Sequence, residues 1–170
     1  MRYFVFVLFL LCSLCKVQAS ILESGAYVTG LVGYGYVGNN SYQKPTNNNS
    51  YSIGATTGYS FNQYLALDGN VTFMPNNNGY SQFSNYFLSS VAGRFSVPFS
   101  DFFSGYLHVG PGLLTNSSTG SNQFGAFLGL GGIFKINNQI GISVEDYGIW
   151  LPNDVANDIN IFAVGVTYGF

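Results

Sequence analysis

The last ten residues of the chain alternate between large and small side chains, and this pattern constrains the fold more than any other feature. Every second residue is apolar or aromatic: Phe162, Val164, Val166, Tyr168 and Phe170. Most of the residues between them are small, as Ala163, Gly165 and Gly169 illustrate. A period of two is typical of a β-strand whose two faces meet different surroundings. Large apolar residues on one face suit contact with lipid, and small residues on the other suit a crowded interior.

The same alternation recurs in seven earlier segments, so the sequence predicts eight strands. The seven segments lie at about 26–37, 51–61, 64–74, 85–97, 103–114, 123–136 and 139–151. Residues predicted to face outward include Leu65, Phe87, Leu128 and Val164. The seventh segment loses its alternation near Asp146 and Tyr147, which predicts a β-bulge at that point.

Composition indicates that these strands cross a membrane. Charged residues make up 7% of the chain, against about 25% in ordinary soluble domains. Aromatic residues reach 18%, and many of them fall near the ends of predicted strands, where the membrane meets water. After the first residues there is no apolar run of the ~20 residues that a membrane helix requires. Because lipid demands that backbone polar groups be satisfied internally, the remaining membrane-spanning structure is a closed barrel.

The first 19 residues are predicted to be a signal peptide, which leaves residues 20–170 as the barrel. Met1-Arg2 gives a positive start, an apolar stretch follows, and Val17-Gln18-Ala19 supplies a cleavage site. Both cysteines lie in this leader, so we expect neither a disulfide nor a thiolate metal site in the mature chain. Three basic residues against seven acidic ones remain, with no basic patch, so nucleic acid is not expected as a partner and no cofactor is indicated.

The connections between the predicted strands alternate in length. The short ones are 62–63, 98–102 and 137–138, and the longer ones are 38–50, 75–82, 115–121 and 152–158. Short turns on the periplasmic side and longer loops outside are typical of outer-membrane barrels. The sequence therefore predicts an all-β fold: an eight-stranded antiparallel up-and-down transmembrane β-barrel with four longer extracellular loops.

Three stretches carry a resemblance to a known family. They are YSIGATTGYSFNQYLALDGNVTF, VAGRFSVPFSDFFSGYLHVGPG and the ending VGVTYGF. In this order they resemble the hairpins of small eight-stranded outer-membrane barrels, including the membrane domain of outer membrane protein A. The resemblance implies a bacterial outer-membrane location among lipid and lipopolysaccharide, and insertion by the barrel-assembly machinery, which reads the C-terminal strand from Phe162 to Phe170. It also implies a structural or surface-interaction role, with host or surface ligands at the loops. No peptidoglycan-binding domain follows the barrel, so cell-wall tethering is not expected.

Alternation also predicts which charged side chains point into the barrel. These are Asp68, Arg94, His108, Lys135 and Glu145. Eight strands leave an interior just wide enough for side chains to fill, and a buried charge without a partner is costly. We therefore expect a polar interior in which these residues form an ion-pair network. The resembling family has a comparable network.

Three other functions remain open at this point. A narrow ion-conducting channel would use the inward charges. A lipid A-modifying enzyme would rest on His108, although Gly110 stands where the lipid A deacylases place a serine. A soluble barrel of lipocalin type would turn its apolar residues inward and its charges outward. A non-enzymatic membrane barrel remains the expectation.

Overall fold

Eight antiparallel strands form one closed barrel in the computed structural model, which describes residues 24–37, 48–75, 85–117, 120–151 and 159–170. The strands are β1 (Gly25–Val37), β2 (Asn48–Ser60), β3 (Leu65–Met74), β4 (Tyr86–Pro98), β5 (Phe103–Asn116), β6 (Ser121–Lys135), β7 (Ile140–Trp150) and β8 (Ile159–Gly169). This confirms the predicted fold. The predicted signal peptide lies outside the described residues. No helix within the described ranges is long and apolar enough to cross a membrane.

The first and last strands close the barrel. β1 pairs with β8 along its length, from Tyr27 opposite Gly169 to Val37 opposite Ile159. The backbone N–H of Phe170 extends the pairing by donating to the carbonyl of Ala26 at 3.0 Å. Closure removes the sheet edges that would otherwise expose unpaired backbone groups. The C-terminal strand is therefore needed to complete the structure.

Tight turns join the strands at one end of the barrel, which we call the turn end. β1 begins and β8 ends at this same end. The turns are residues 61–64, 99–102 and 136–139. Asn62 and Asn137 build two of them in the same way, because each side-chain oxygen accepts two backbone N–H groups at 2.8–2.9 Å. In the third, the hydroxyl of Ser100 accepts the N–H of Phe103 at 3.1 Å. Asn and Ser favour such turns because their side chains bond to nearby backbone.

The opposite end, the loop end, departs from the prediction at its third connection. β5 and β6 continue pairing as far as Asn116 opposite Ser121, so residues 117–120 form a connection no longer than the turns. Thr115 extends the hairpin by donating its hydroxyl hydrogen to the side-chain oxygen of Asn122 at 2.9 Å. Gly120 supplies the left-handed backbone conformation, with φ of 65°. The expectation of a longer loop at 115–121 is wrong, and the other three loops fall mainly outside the described residues.

The outer wall of the barrel is apolar and aromatic. Leu65, Phe87, Leu128 and Val164 are all exposed on it, as predicted. Large exposed aromatic side chains lie near both ends of the strands: Tyr34, Tyr36, Tyr59, Phe61, Phe102, Trp150 and Phe170. This wall contradicts the lipocalin alternative, which requires charged outer faces. Asp146 is the one charged side chain on the outward faces of the described strands.

The predicted bulge in β7 is absent. The register of β7 runs without interruption against both β6 and β8, and buried and more exposed residues alternate throughout the strand. Tyr147 points into the barrel and Asp146 points outward. The prediction failed because it assumed that an acidic residue would not occupy an outward position, whereas the continuous ladder holds it there.

The interior has two halves of different chemistry. Toward the turn end the inward side chains are largely charged or hydroxylated, whereas an apolar cluster fills the loop end. The main members of this cluster, which we call the apolar plug, are Leu31, Leu88, Phe127, Ile149 and Ile161. The expectation of a polar interior is therefore wrong for the loop-end half. The inward faces of β7 and β8 change from small residues to isoleucine toward the loop end, as Gly165 and Ile161 show on β8.

Candidate functional site

Four of the five charged residues predicted to point inward lie within the turn-end half of the lumen. Asp68 is on β3, Arg94 on β4, His108 on β5 and Glu145 on β7. We call these four the charged cluster. All are buried, with 2%, 7%, 4% and 5% of each residue exposed respectively. Each falls on the inward phase of its strand, so the alternation of the sheet places them in a common interior.

Asp68 lies at the centre of the cluster. Its Oδ2 atom is 3.1 Å from Nε2 of His108 and 3.9 Å from Nε of Arg94. The histidine contact has the separation of an ion pair, although the ring N–H does not point along the line of a direct hydrogen bond. Gly58, opposite Asp68 on β2, leaves the necessary room, because a Cβ there would collide with this carboxylate and with the hydroxyl of Tyr27. Asp68 is therefore in contact with both basic side chains of the cluster.

Arg94 is held by aromatic rings as well as by charge. Its guanidinium carbon lies 4.4 Å from the ring centre of Tyr27 and 5.6 Å from that of Tyr106. Its NH2 group donates to the hydroxyl of Ser60 at 3.1 Å. Cation–π contacts gain strength when the cation is desolvated. The two tyrosines thus help to keep a positive charge in a dehydrated lumen.

Tyr106 connects the acidic residue of β7 to the rest of the cluster. Its hydroxyl donates to Oε1 of Glu145 at 2.8 Å. Its ring stacks on His108, with ring centres 5.0 Å apart and planes 20° apart. A hydrogen bond to a carboxylate is stronger than one between neutral groups. Glu145 therefore has a defined partner, even though it makes no ion pair with another described residue.

Lys135 is not part of this cluster. It is the last residue of β6, lies half-buried at the turn end, and makes no ion pair with any residue that the structure describes. The physical reason is its height in the barrel: an amine at the rim can remain hydrated without a partner. Only four of the five predicted members of the network are brought together.

Polar side chains form a second layer above the charged cluster. Asn70 donates to the hydroxyl of Thr56 at 2.9 Å, and Thr72 donates to the side-chain oxygen of Asn70 at 3.2 Å. The hydroxyl groups of Thr72 and Tyr147 lie 2.9 Å apart and share a hydrogen bond. This layer contacts the apolar plug, since the ring of Tyr147 lies 5.8 Å from that of Phe127.

The apolar plug fills the lumen above this layer. Phe127, Ile149 and Ile161 are at most 2% exposed. The glycines around the plug leave room for it, because a Cβ at Gly112 or Gly125 would press against Ile149. Close packing of this kind leaves little room for water.

Sequence reasoning missed three contributors to the charged cluster: Tyr27, Ser60 and Tyr106. The signal that could have found them is the same alternation that identified the charged residues. Tyr106 lies two positions before His108, and Tyr27 lies one position before the outward Val28. Their partners could not be read from the sequence, because the stagger between strands decides which inward residues meet.

The five residues predicted to form the assembly signal lie on β8 or directly after it. Phe162, Val164, Val166, Tyr168 and Phe170 are all exposed on the outer wall. The rings of Tyr168 and Phe170 contact each other edge to face, with centres 5.1 Å apart. The strand therefore ends in an aromatic pair on the outer wall at the turn end.

Among the described residues, no group of three or more His, Cys, Asp or Glu side chains could hold a metal ion. The charged cluster can pair Asp68 with Arg94 and His108, and it joins four strands across the interior.

A closed eight-stranded barrel with an apolar, aromatic wall and a filled lumen defines a small transmembrane β-barrel. The model of the outer membrane protein beta-barrel domain matches residues 4–170, and the chain belongs to that family. The protein is accordingly an integral protein of the bacterial outer membrane.

Solved structures show the same fold. Neisserial surface protein A has a TM-score of 0.70 and 15% identity, with 86% of this chain and 98% of that chain covered. The N-terminal barrel domain of Pseudomonas aeruginosa OprF has a TM-score of 0.62 and 11% identity, covering 87% of this chain and 100% of that one. Ail, the attachment invasion locus protein of Yersinia pestis, solved with the heparin analogue sucrose octasulfate, has a TM-score of 0.60 and 16% identity, covering 86% and 99%. At these identities the likeness concerns the fold alone. A comparison with curated proteins gave no match.

Proposed function

We propose that this outer-membrane barrel has a structural or surface-interaction role, and that it neither conducts ions through its lumen nor catalyses a reaction. The observation that carries the proposal is the filled interior. The charged cluster occupies the turn-end half and the apolar plug occupies the loop-end half. What remains available for function is the outer wall and the loops.

The apolar plug is the main argument against the channel alternative. An ion passing the charged cluster would next meet Phe127, Ile149 and Ile161, none of which offers a polar atom. Hydrophobic constrictions stop ions because water leaves them. The charges at the turn end are also paired, which suits a scaffold better than a conduction path.

The position of His108 is the main argument against a lipid A-modifying enzyme. The residue is buried inside the lumen, against Asp68 and Tyr106. A lipid substrate lies outside the wall, on the opposite face of the sheet. A catalytic base must reach within hydrogen-bonding distance of the proton that it removes, and His108 cannot do so across the barrel wall.

The loops are the proposed sites of surface interaction. The chain segments outside the described strands at the loop end are rich in Asn and Ser, and they carry few charges, among them Lys44 and Asp154. The Ail structure includes a polyanionic heparin analogue. A polyanion would be poorly matched by loops with so little positive charge. We expect host or surface ligands of this protein to be bound by hydrogen bonds and aromatic contacts.

Solute release from proteoliposomes tests the sealed lumen. Vesicles that contain the refolded protein and a small dye should retain the dye as well as empty vesicles do. The Arg94→Ala variant should behave in the same way if it folds, because the apolar plug remains. Release that depends on the protein and is altered by Arg94→Ala would favour the channel.

Adhesion to surfaces tests the role of the loops. Cells that carry the protein should lose adhesion when residues 38–47 are replaced by a Gly-Ser segment of equal length, and adhesion should change little with salt. A steep loss of adhesion with rising salt would contradict the proposal, because charge-dominated contacts weaken by screening. Identical lipid A mass spectra from cells with wild-type protein and with His108→Ala would support the non-enzymatic role.

Insertion by the barrel-assembly machinery is proposed to depend on the end of β8. Deletion of Phe170 should reduce the outer-membrane yield more than deletion of any one outer loop. The reason is that Phe170 is exposed and directly follows the strand that closes the barrel. Heat-modifiable gel mobility of the extracted protein measures the folded fraction. Equal yields for the two deletions would contradict this role.

A further inference from the structure

A single charged side chain on the lipid-facing wall is the feature that neither the fold nor the sealed lumen explains. Asp146 points outward from the middle of β7, between Leu130 on β6 and Phe162 on β8. Every other charged residue of the described strands lies in the lumen. The side chain of Asp146 forms no hydrogen bond or ion pair with another described residue.

Asp146 lies within the lipid-covered part of the wall. It is six residues along β7 from the turn end at Ile140. A strand rises ~3.3 Å per residue and is tilted by about 40° in such barrels, which places Asp146 roughly 15 Å above the turn end, within an apolar band ~25 Å tall. A carboxylate in that environment is unfavourable unless a compensating group approaches it. We therefore expect a compensating group to bind next to the Asp146 carboxylate.

A groove beside Asp146 provides space for such a partner. Gly148 lies at its centre, with Leu128 directly across on β6 and Asn160 directly across on β8. Asp146 forms one end of the groove and Trp150 the other. The volume is about 410 Å³, and the groove is open toward the outside of the wall.

Gly148 makes the groove possible. Any Cβ at this position would collide with the backbone carbonyl of Ile159 on the neighbouring strand. The close approach of β7 and β8 at this point thus requires glycine, and the missing side chain leaves a gap on the outer wall. The gap lies between an acidic residue and an aromatic one on the same face of the strand.

We propose that this groove binds a small cationic amphiphile, a molecule with an apolar body and a primary ammonium group. The ammonium would lie against the carboxylate of Asp146 and the side-chain carbonyl of Asn160. The apolar body would lie over Gly148, between Leu128 and the indole of Trp150. Charge complementarity selects the ammonium, and the apolar walls select the body that carries it.

The charges of the chain argue for this occupant over a second copy of the protein. A second copy of this chain would bring two Asp146 carboxylates toward one symmetric contact. None of the three basic residues after the predicted signal peptide lies where it could pair with these carboxylates. Arg94 is in the lumen, Lys135 is inward at the turn end, and Lys44 belongs to a loop.

The chain contains a built-in reporter for this site. Trp150 is the one tryptophan of the sequence, and it lines the groove. Bromine quenches indole fluorescence on contact, so bromooctylamine is a suitable probe and bromooctanol is its neutral match. In phosphatidylcholine vesicles the full-length protein should show saturable quenching with bromooctylamine, at concentrations where bromooctanol gives only the weak quenching of general partitioning.

Two variants assign the binding to the groove. Asp146→Asn keeps the shape and removes the charge, and it should weaken the affinity for bromooctylamine about tenfold or more, as expected for loss of a charged hydrogen bond. Asn160→Ala should weaken it a few-fold. Asp101→Asn is the matched control: it removes an exposed carboxylate in the β4–β5 turn and should leave the affinity unchanged.

Three results would overturn the proposal. The first is equal quenching of wild type and Asp146→Asn by bromooctylamine, which would indicate partitioning alone. The second is loss of the quenching when phosphatidylethanolamine is added to the vesicles, which would assign the groove to a lipid headgroup. The third is a dimer of the wild-type protein in detergent that Asp146→Asn converts to a monomer, which would assign it to a second copy.

Discussion

In the turn-end half of the lumen, charged and hydroxylated side chains are in contact with one another, whereas apolar side chains predominate in the loop-end half. Asp68 is in contact with two basic residues in the first half. Phe127 and Ile161 are packed among other apolar groups in the second. Both halves are equally buried, so the difference lies in what holds them together: specific pairing in one and close packing in the other.

The comparison indicates that the two halves have different tasks. Buried ion pairs contribute little net stability, so the charged cluster defines which strands meet rather than adding much free energy. The apolar plug gains stability from removal of apolar area and closes the lumen. An aromatic column joins the halves: ring centres of His108 and Phe127 are 6.3 Å apart, and Tyr147 continues the contact.

The largest effect should follow removal of the acid at the centre of the charged cluster. Asp68→Ala leaves Arg94 and His108 without their carboxylate, and loss of one partner of a buried pair costs ~4 kcal/mol of the free energy of unfolding. Urea unfolding of the micelle-bound protein, followed by Trp150 fluorescence, measures the change. Asp101→Ala, at an exposed turn, should change stability by less than about 0.5 kcal/mol.

A double variant sharpens the same point. If specific pairing holds the turn-end half, Asp68→Ala combined with Arg94→Ala should be less destabilised than the sum of the single variants predicts. Strict additivity would show that the two residues act independently. The distinction between the two halves would then lose its basis.

A somewhat smaller effect is expected from the apolar plug. Ile149→Ala removes buried methyl groups and leaves a cavity, at a cost of about 3 kcal/mol. Ile142→Ala is the matched control on the same strand, since Ile142 faces the outer wall and its truncation leaves no internal cavity. The same urea titration measures both. Equal losses for the two variants would mean that the plug is not closely packed.

The smallest of these effects concerns the link between the cluster and β7. Tyr106→Phe keeps the ring that stacks on His108 but removes the hydroxyl that donates to Glu145. Loss of this bond to a buried carboxylate should cost about 2 kcal/mol. Tyr168→Phe, on the outer wall, should change the unfolding free energy much less. A neutral Tyr106→Phe would show that Glu145 is satisfied in another way.

Much of the fold could be predicted from the sequence because alternation is a local signal. Eight strands, their inward phase and the exposed set on β8 all follow from a period of two. The ends of the strands were predicted less accurately, because strand pairing continues beyond the apolar residues. β5 reaches Asn116 and leaves only 117–120 as a connection. A polar residue such as Asn122 can still belong to the ladder, and composition does not reveal that.

The site was harder to predict for two physical reasons. Alternation placed Asp68 and His108 in the lumen, but the contact between them depends on strand stagger, which the local sequence does not specify. The interior was expected to be polar throughout because the prediction considered only the inward charged residues. It did not take account of inward isoleucines such as Ile161. Asp146 shows the reverse error: the alternation was sound, and only the assumption that acids avoid the wall suggested a bulge.

Recordings across planar bilayers test the central claim that the two halves together seal the lumen. The purified protein should give no steps above the leak current at either polarity. Phe127→Ala combined with Ile149→Ala should allow brief steps, because this pair truncates two of the five main residues of the plug while the charged cluster remains. Steady conductance of the wild-type protein, altered by Arg94→Ala and unchanged by loss of the plug, would contradict the account.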